Sequence, residues 1–121
     1  MDAHTLSLEA AAILAPYLPL LISKGKLVTG KALEEIGKQI GSTAWTGVKY
    51  LWEKLHPRIE TSSTVKEELV AIADEQNLSK RTDALQSLLN QLMVSQPNIQ
   101  VQIATAIQNI SHSTNITITI S

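Results

Sequence analysis

The stretch ALEEIGKQIGSTAWTGVKYLWEKLH, residues 32–56, decides the fold. Its apolar positions are Leu33, Ile36, Ile40, Ala44, Val48, Leu51 and Leu55, separated by steps of 3, 4, 4, 4, 3 and 4. That is the period of one helical face. Trp45 and Trp52 lie seven apart on the edge of that stripe, and Pro57 after His56 predicts where the helix stops. Gly37 and Gly41 form G-x-x-x-G inside it. An interior glycine costs about 1 kcal/mol relative to Ala, so this spacing points to close approach of another helix, in water or in lipid.

Outward from that segment the pattern stays helical. Upstream, LSLEAAAILAPYLPLLI (6–22) is apolar nearly all round, with Glu9 its one charge and Pro16 and Pro19 interrupting it. A membrane-spanning helix needs about 20 apolar residues, with a lower bound near 17. The run therefore suits a core helix or a conditional span better than a constitutive one. SKGKLVTGK (23–31) reads as a basic, glycine-containing junction. Downstream, Thr64 and Glu67 match a capping box. It opens a helix whose buried face is Val65, Leu69, Ile72 and Ala73. Leu78, Leu85, Leu88, Leu89, Leu92 and Met93 stripe the next helix, which Pro97 ends. Over 97–110, Ile99, Val101 and Ile103 alternate like a strand, while Ile99, Ile103, Ala106, Ile107 and Ile110 fit a helix. The run is longer than most strands, which favours helix, with Pro97 at its first position.

The reading is an all-α protein, a four- to five-helix bundle over residues 1–110, with a short, uncharged, β-prone tail at 111–121. Ile116, Ile118 and Ile120 of that tail alternate with Thr and Ser. One short strand needs partners, and β-branched residues without charge or Pro favour stacking between chains. The core must be aliphatic, because only 3% of the 121 residues are aromatic. Its expected members are Trp45, Trp52, Ile36, Ile40, Val48, Leu69, Leu85 and Leu89, and the two Trp read as packing rather than as a ligand clamp.

Charge is unevenly spread. The net charge of −1 argues against nucleic-acid binding. Residues 23–58 hold seven cations against three anions, and residues 84–121 hold no Asp, Glu, Lys or Arg. A globular chain averages about 25% of those four types, so this silent final third is distinctive. Lys24, Lys26 and Lys31 follow the apolar run directly, where cations attract anionic headgroups; a solvated face is the plainer account of them. No basic segment precedes the apolar run, so a cytoplasmic start is expected, and the glycosylation patterns at Asn109 and Asn115 carry no weight.

No constellation for an enzyme appears. Cys is absent, and His4, His56 and His112 lie at no metal-ligand spacing. Glu34-Glu35 and Glu67-Glu68 are adjacent, so they diverge by about 100° on a helix and form no dyad. Neither cofactor nor metal is expected.

The Met-Asp start, AAAILAPYL (10–18), the Gly/Lys-rich amphipathic segment and VKYLWEKLHP (48–57) together resemble the N-terminal region of bacterial Bell domains. The resemblance covers roughly residues 1–95. Such domains look like prokaryotic counterparts of the fungal HeLo and HELL domains and of the killer domain of necroptosis. The resemblance implies a cell-death-inducing bundle in which the first helix, here Leu6 to Ile22, is released and inserted into a membrane. It also implies a C-terminal amyloid signalling motif, answered by a receptor bearing the same motif. Here that motif would include Asn115 to Ile120; this tail is short for one and lacks Gly-Asn repeats.

Two functions follow as expectations. The first is an effector that oligomerises, moves from the cytoplasm to the inner face of the plasma membrane and permeabilises it. Leu8, Ile13, Leu14, Leu18, Leu20, Leu21 and Ile22 would insert, while Lys24, Lys26 and Lys31 hold headgroups. Expression in bacteria of Leu14→Glu or Leu18→Glu would discriminate, since growth rescued without loss of folding favours the effector. The second is a non-lytic helical adaptor that recruits partners.

Overall fold

The computed structural model describes residues 2–41 and 43–113, and the fold is all-α with one small hairpin. Helix α1 (Ala3–Leu14) starts on Asp2, whose side chain accepts from Thr5 N at 2.8 Å. Pro16 and Pro19 lack the N–H groups that would bond to Ala12 and Ala15, four residues back. The chain responds by tightening to a 3₁₀ turn (Ala15–Tyr17), in which Leu18 N donates to Ala15 O, and resumes as α2 (Leu18–Leu21). The expected helix over 6–22 is thus one rod with a tightened middle. A two-residue hairpin follows, β1 (Ile22–Ser23) and β2 (Lys26–Leu27), with Ile22 opposite Leu27 and Ser23 opposite Lys26. Its turn residues Lys24 and Gly25 both take positive φ, 52° and 74°, the geometry that suits the twist of a hairpin. The basic junction therefore has a defined shape.

The 32–56 period conceals a break. Helix α3 (Gly30–Ile40) ends on Gly41 in the left-handed conformation, φ 59°, and Gly41 N donates to Gly37 O at 2.9 Å. That is a glycine C-cap, so G-x-x-x-G splits by role: Gly41 stops a helix and Gly37 packs. Helix α4 (Thr43–Glu60) contains Pro57 instead of stopping at it. One lost backbone bond is offset because the extra turn buries Ile59. These breaks put more helical segments in the chain than the four or five expected, although each expected region is helical.

Helix α5 (Ser63–Ala73) is capped by Ser62, whose hydroxyl accepts from Val65 N at 3.3 Å. The Thr64–Glu67 capping box is not used, because the chain enters the helix earlier. Helix α6 (Leu78–Ser95) is capped by Asn77, and α7 (Pro97–Ser113) begins at Pro97 as expected. The 97–110 run is helix, and it continues past the expected boundary at 110. Ile116, Ile118 and Ile120, assigned to self-association, lie outside the described residues.

The core forms around α1, which packs most extensively on α6 and also on α7 and α4. Trp45, Trp52, Val48, Leu69, Leu85 and Leu89 are buried as expected. Ile36 and Ile40 are only half-buried, because α3 stands apart after Gly41 and packs chiefly on α4. Leu78 is exposed at the mouth of α6, ahead of the first full turn that reaches the core.

Candidate functional site

The rod Ala3–Leu21 is 19 residues long with a mean hydropathy of 1.2, long and apolar enough to cross a membrane, and 44% of it is buried in the bundle. It has two faces. Leu6, Ala10, Ala11, Leu14, Ala15, Leu18 and Leu21 point into the core. On the other side Leu8, Ala12, Pro16 and Leu20 recur every four residues and are exposed, Leu8 at 48% and Leu20 at 45%. A spacing of four keeps them on one side of a helix. The result is an uncharged apolar stripe along a helix whose opposite face is the centre of the core. Of the seven expected insertion residues, Leu14, Leu18 and Leu21 are buried, Ile13 and Ile22 are half-buried, and Leu8 and Leu20 face solvent.

This division changes what a charge would do. Leu14 and Leu18 are 1% and 0% exposed, so Glu at either would bury an unpaired charge. At these two positions the discriminator therefore cannot separate loss of insertion from loss of folding. Ala12 and Pro16, which the expected set omitted, belong to the exposed stripe. Their four-residue spacing was the available signal.

Polar contacts hold the rod to α6. Ser7, fully buried, donates from Oγ to His4 O at 2.7 Å and accepts from Gln86 Nε2 at 2.9 Å. Arg81 donates from Nη1 to Ala15 O at 3.1 Å and from Nε to Glu75 O at 2.8 Å. Ala15 O, which loses its Pro19 donor and accepts from Leu18 N in the 3₁₀ turn, thus takes a second donor from a residue 66 positions away. Nothing in the local pattern of either segment announces this pairing.

The rod ends at the hairpin. Lys24 and Lys26 of the hairpin and Lys31 at the start of α3 are all exposed. The ion pairs among the described residues use other cations: Lys38 with Glu35 (3.5 Å), Lys49 with Glu34 (3.9 Å) and Lys66 with Glu60 (3.8 Å). The three lysines therefore present their charge to solvent beside the end of the apolar rod. The hairpin is anchored through Val28, whose carbonyl accepts from Trp52 Nε1 at 2.8 Å in the core.

Other groups gather no chemistry. Glu34 and Glu35 are solvated and each faces a lysine. Among the described residues no three His, Cys, Asp or Glu side chains come together to hold a metal. His56 is half-buried beside Trp52, with ring centroids 6.2 Å apart. Burial pushes its imidazole below the usual range, and Glu60 and Glu53 partly oppose that. No family model matches the chain, and no curated protein or solved structure matches it significantly.

Proposed function

We propose that the chain is a membrane-permeabilising effector of the Bell kind, held inactive while its apolar rod serves as the centre of a water-soluble bundle. The observation that carries this reading is the two-faced rod. A core helix needs one apolar face, and length alone would suit a soluble core helix equally well. Here the solvent side of Ala3–Leu21 carries an apolar stripe as well, at Leu8, Ala12, Pro16 and Leu20, with exposed His4 and Thr5 and half-buried Glu9 confined to its first two turns. That second face has no use in packing the bundle and suits an acyl environment. The exposed Lys24, Lys26 and Lys31 supply attraction to anionic headgroups, about 1 kcal/mol each near the surface. Activation is oligomerisation, through the uncharged C-terminal part and a receptor of like sequence, and the site of action is the inner face of the plasma membrane.

The test is dye release from vesicles containing anionic lipid. Release by the full chain, rising more steeply than the first power of protein concentration, is the expected result. Protein that binds the vesicles and releases nothing at any concentration refutes the effector.

The second reading is the non-lytic adaptor. Val94 and Val101, 68% and 65% exposed near the α6–α7 junction, favour it as an uncharged contact surface. It is the reading to adopt if a defined soluble complex forms and vesicles stay sealed.

A further inference from the structure

Helix α3 differs from the rest of the bundle in how it is attached. It begins at Gly30 and is followed by Gly41, both in the left-handed region at φ 60° and 59°. Both glycines have open space where a Cβ would stand, and between them α3 packs chiefly on α4. Its inner side offers Leu33, Ile36, Gly37 and Ile40, of which Leu33 alone is buried. Its outer side is Lys31, Glu34, Glu35, Lys38 and Gln39, all exposed. A strongly two-sided helix of low overall hydrophobicity is the kind that lies in the plane of a membrane interface.

Beneath α3 sits Trp45, 5% exposed, with its ring edge-on to Tyr17 at 5.9 Å. The pyrrole edge of the indole, Nε1 and Cδ1, abuts Gly37. A Cβ built there would overlap the ring, 2.6 Å from Cδ1. Trp45 Nε1 is buried and has no hydrogen-bond partner, unlike Trp52 Nε1, which is bonded to Val28 O. A buried donor left unmade is costly. Lifting α3 would relieve that cost by admitting water or a lipid carbonyl. The ion pair between the two helices, Lys49 with Glu34 at 3.9 Å, is of the exposed, salt-screened sort that holds weakly.

We propose that α3 is a hinged flap that swings on Gly30 and Gly41, uncovers Trp45, and lies on an anionic bilayer surface beside Lys24 and Lys26. The bilayer destination rests on the membrane reading above; the hinge does not. Trp52→Phe leaves Trp45 as the sole indole. In buffer its emission should be shielded from acrylamide. With anionic vesicles it should be quenched by brominated acyl chains. Gly37→Ala should raise acrylamide quenching several-fold without vesicles and leave helical content unchanged. Gly47→Ala, whose Cβ would meet Ile110 at 3.2 Å instead, should not. Should Trp52→Phe fail to fold, an environment-sensitive dye on Ile36→Cys, the one thiol in a cysteine-free chain, reads the same event. Acrylamide quenching unmoved by Gly37→Ala overturns the flap, whatever the vesicles do. A flap that opens in Gly37→Ala but meets no brominated lipid overturns the bilayer destination alone. Dye release without lipid quenching of Trp45 leaves the effector standing and removes α3 from it.

Discussion

Ala12→Asp separates the membrane role of the rod from its packing role. Ala12 is the central residue of Ala3–Leu21 and is exposed in the bundle. In the folded state the change costs about 0.7 kcal/mol in helix propensity. Like-charge repulsion from Glu9, three residues earlier, adds about 0.2–0.5 kcal/mol. A loss near 1 kcal/mol lowers Tm by about 4 °C for a chain of this size, which far-UV circular dichroism will detect. At a bilayer centre the same Asp costs about 2.5–3.5 kcal/mol. At about 1.4 kcal/mol per decade, insertion falls by roughly a hundredfold. Dye release from anionic vesicles, titrated over protein concentration, should shift by about two decades in the variant. Leu14→Asp, placed in the core, should instead unfold the bundle and decide nothing about insertion. Wild-type release from a folded Ala12→Asp protein would refute the insertion of this rod.

Three further outcomes test the structure itself. Ser62→Ala should lower stability in urea by about 1 kcal/mol, whereas Thr64→Ala should change it by less than about 0.5 kcal/mol, since only Ser62 caps α5. Arg81→Met should cost about 1.5–3 kcal/mol and speed amide exchange in Ala3–Leu21 more than in α5, because it removes the contact that ties the Ala15 carbonyl to α6. His56 gives a pH signature. Burial holds its folded pKa below the ordinary value of 6.5, so the unfolded chain binds the proton more readily. Stability is therefore unaffected above about 6.5 and falls as pH drops through that value toward the folded pKa. Urea midpoints between pH 5 and 8 should show that slope in the wild type and lose it in His56→Gln.

Much of this fold was legible because aliphatic periodicity reports burial directly. Val48, Leu51 and Leu55 on α4 and Leu85, Leu89 and Leu92 on α6 stand where their spacing put them. Pro97 at the start of α7 settled an ambiguous run. What stayed illegible shares a physical cause. The 3-4 spacing continues in phase from Ile36 to Val48 although the backbone breaks between them, so the period alone cannot distinguish a packing glycine from a capping one. Pro57 misled because the loss of one hydrogen bond is visible in sequence, while the burial of Ile59 that offsets it is tertiary. Ser62 outcompeted Thr64 because the preceding chain, closed by Ser62 N donating to Ile59 O at 3.1 Å, sets where α5 begins. On the rod, hydrophobicity all round concealed which side was inside. The contact of Arg81 with Ala15 is long-range and leaves no local trace.

The two faces of the rod also imply an order of events that a core substitution can test. The exposed stripe can meet a bilayer while the bundle is intact, but crossing requires Leu6, Leu14, Leu18 and Leu21 to leave the core. The folding free energy is then the barrier that withholds permeabilisation. Leu89 on α6 is fully buried in the shared core and is not part of the rod. Leu89→Ala should cost about 2–5 kcal/mol, against a stability of about 5–15 kcal/mol for an ordinary domain, so the protein remains mostly folded. If the bundle restrains the rod, this variant should release dye at lower protein concentration than the wild type, the opposite sign to Ala12→Asp. Both changes destabilise the fold, so no account based on general stability yields opposite signs. Reduced release from both variants would mean that the folded surface does the work, and the rod would then be a core helix and nothing more.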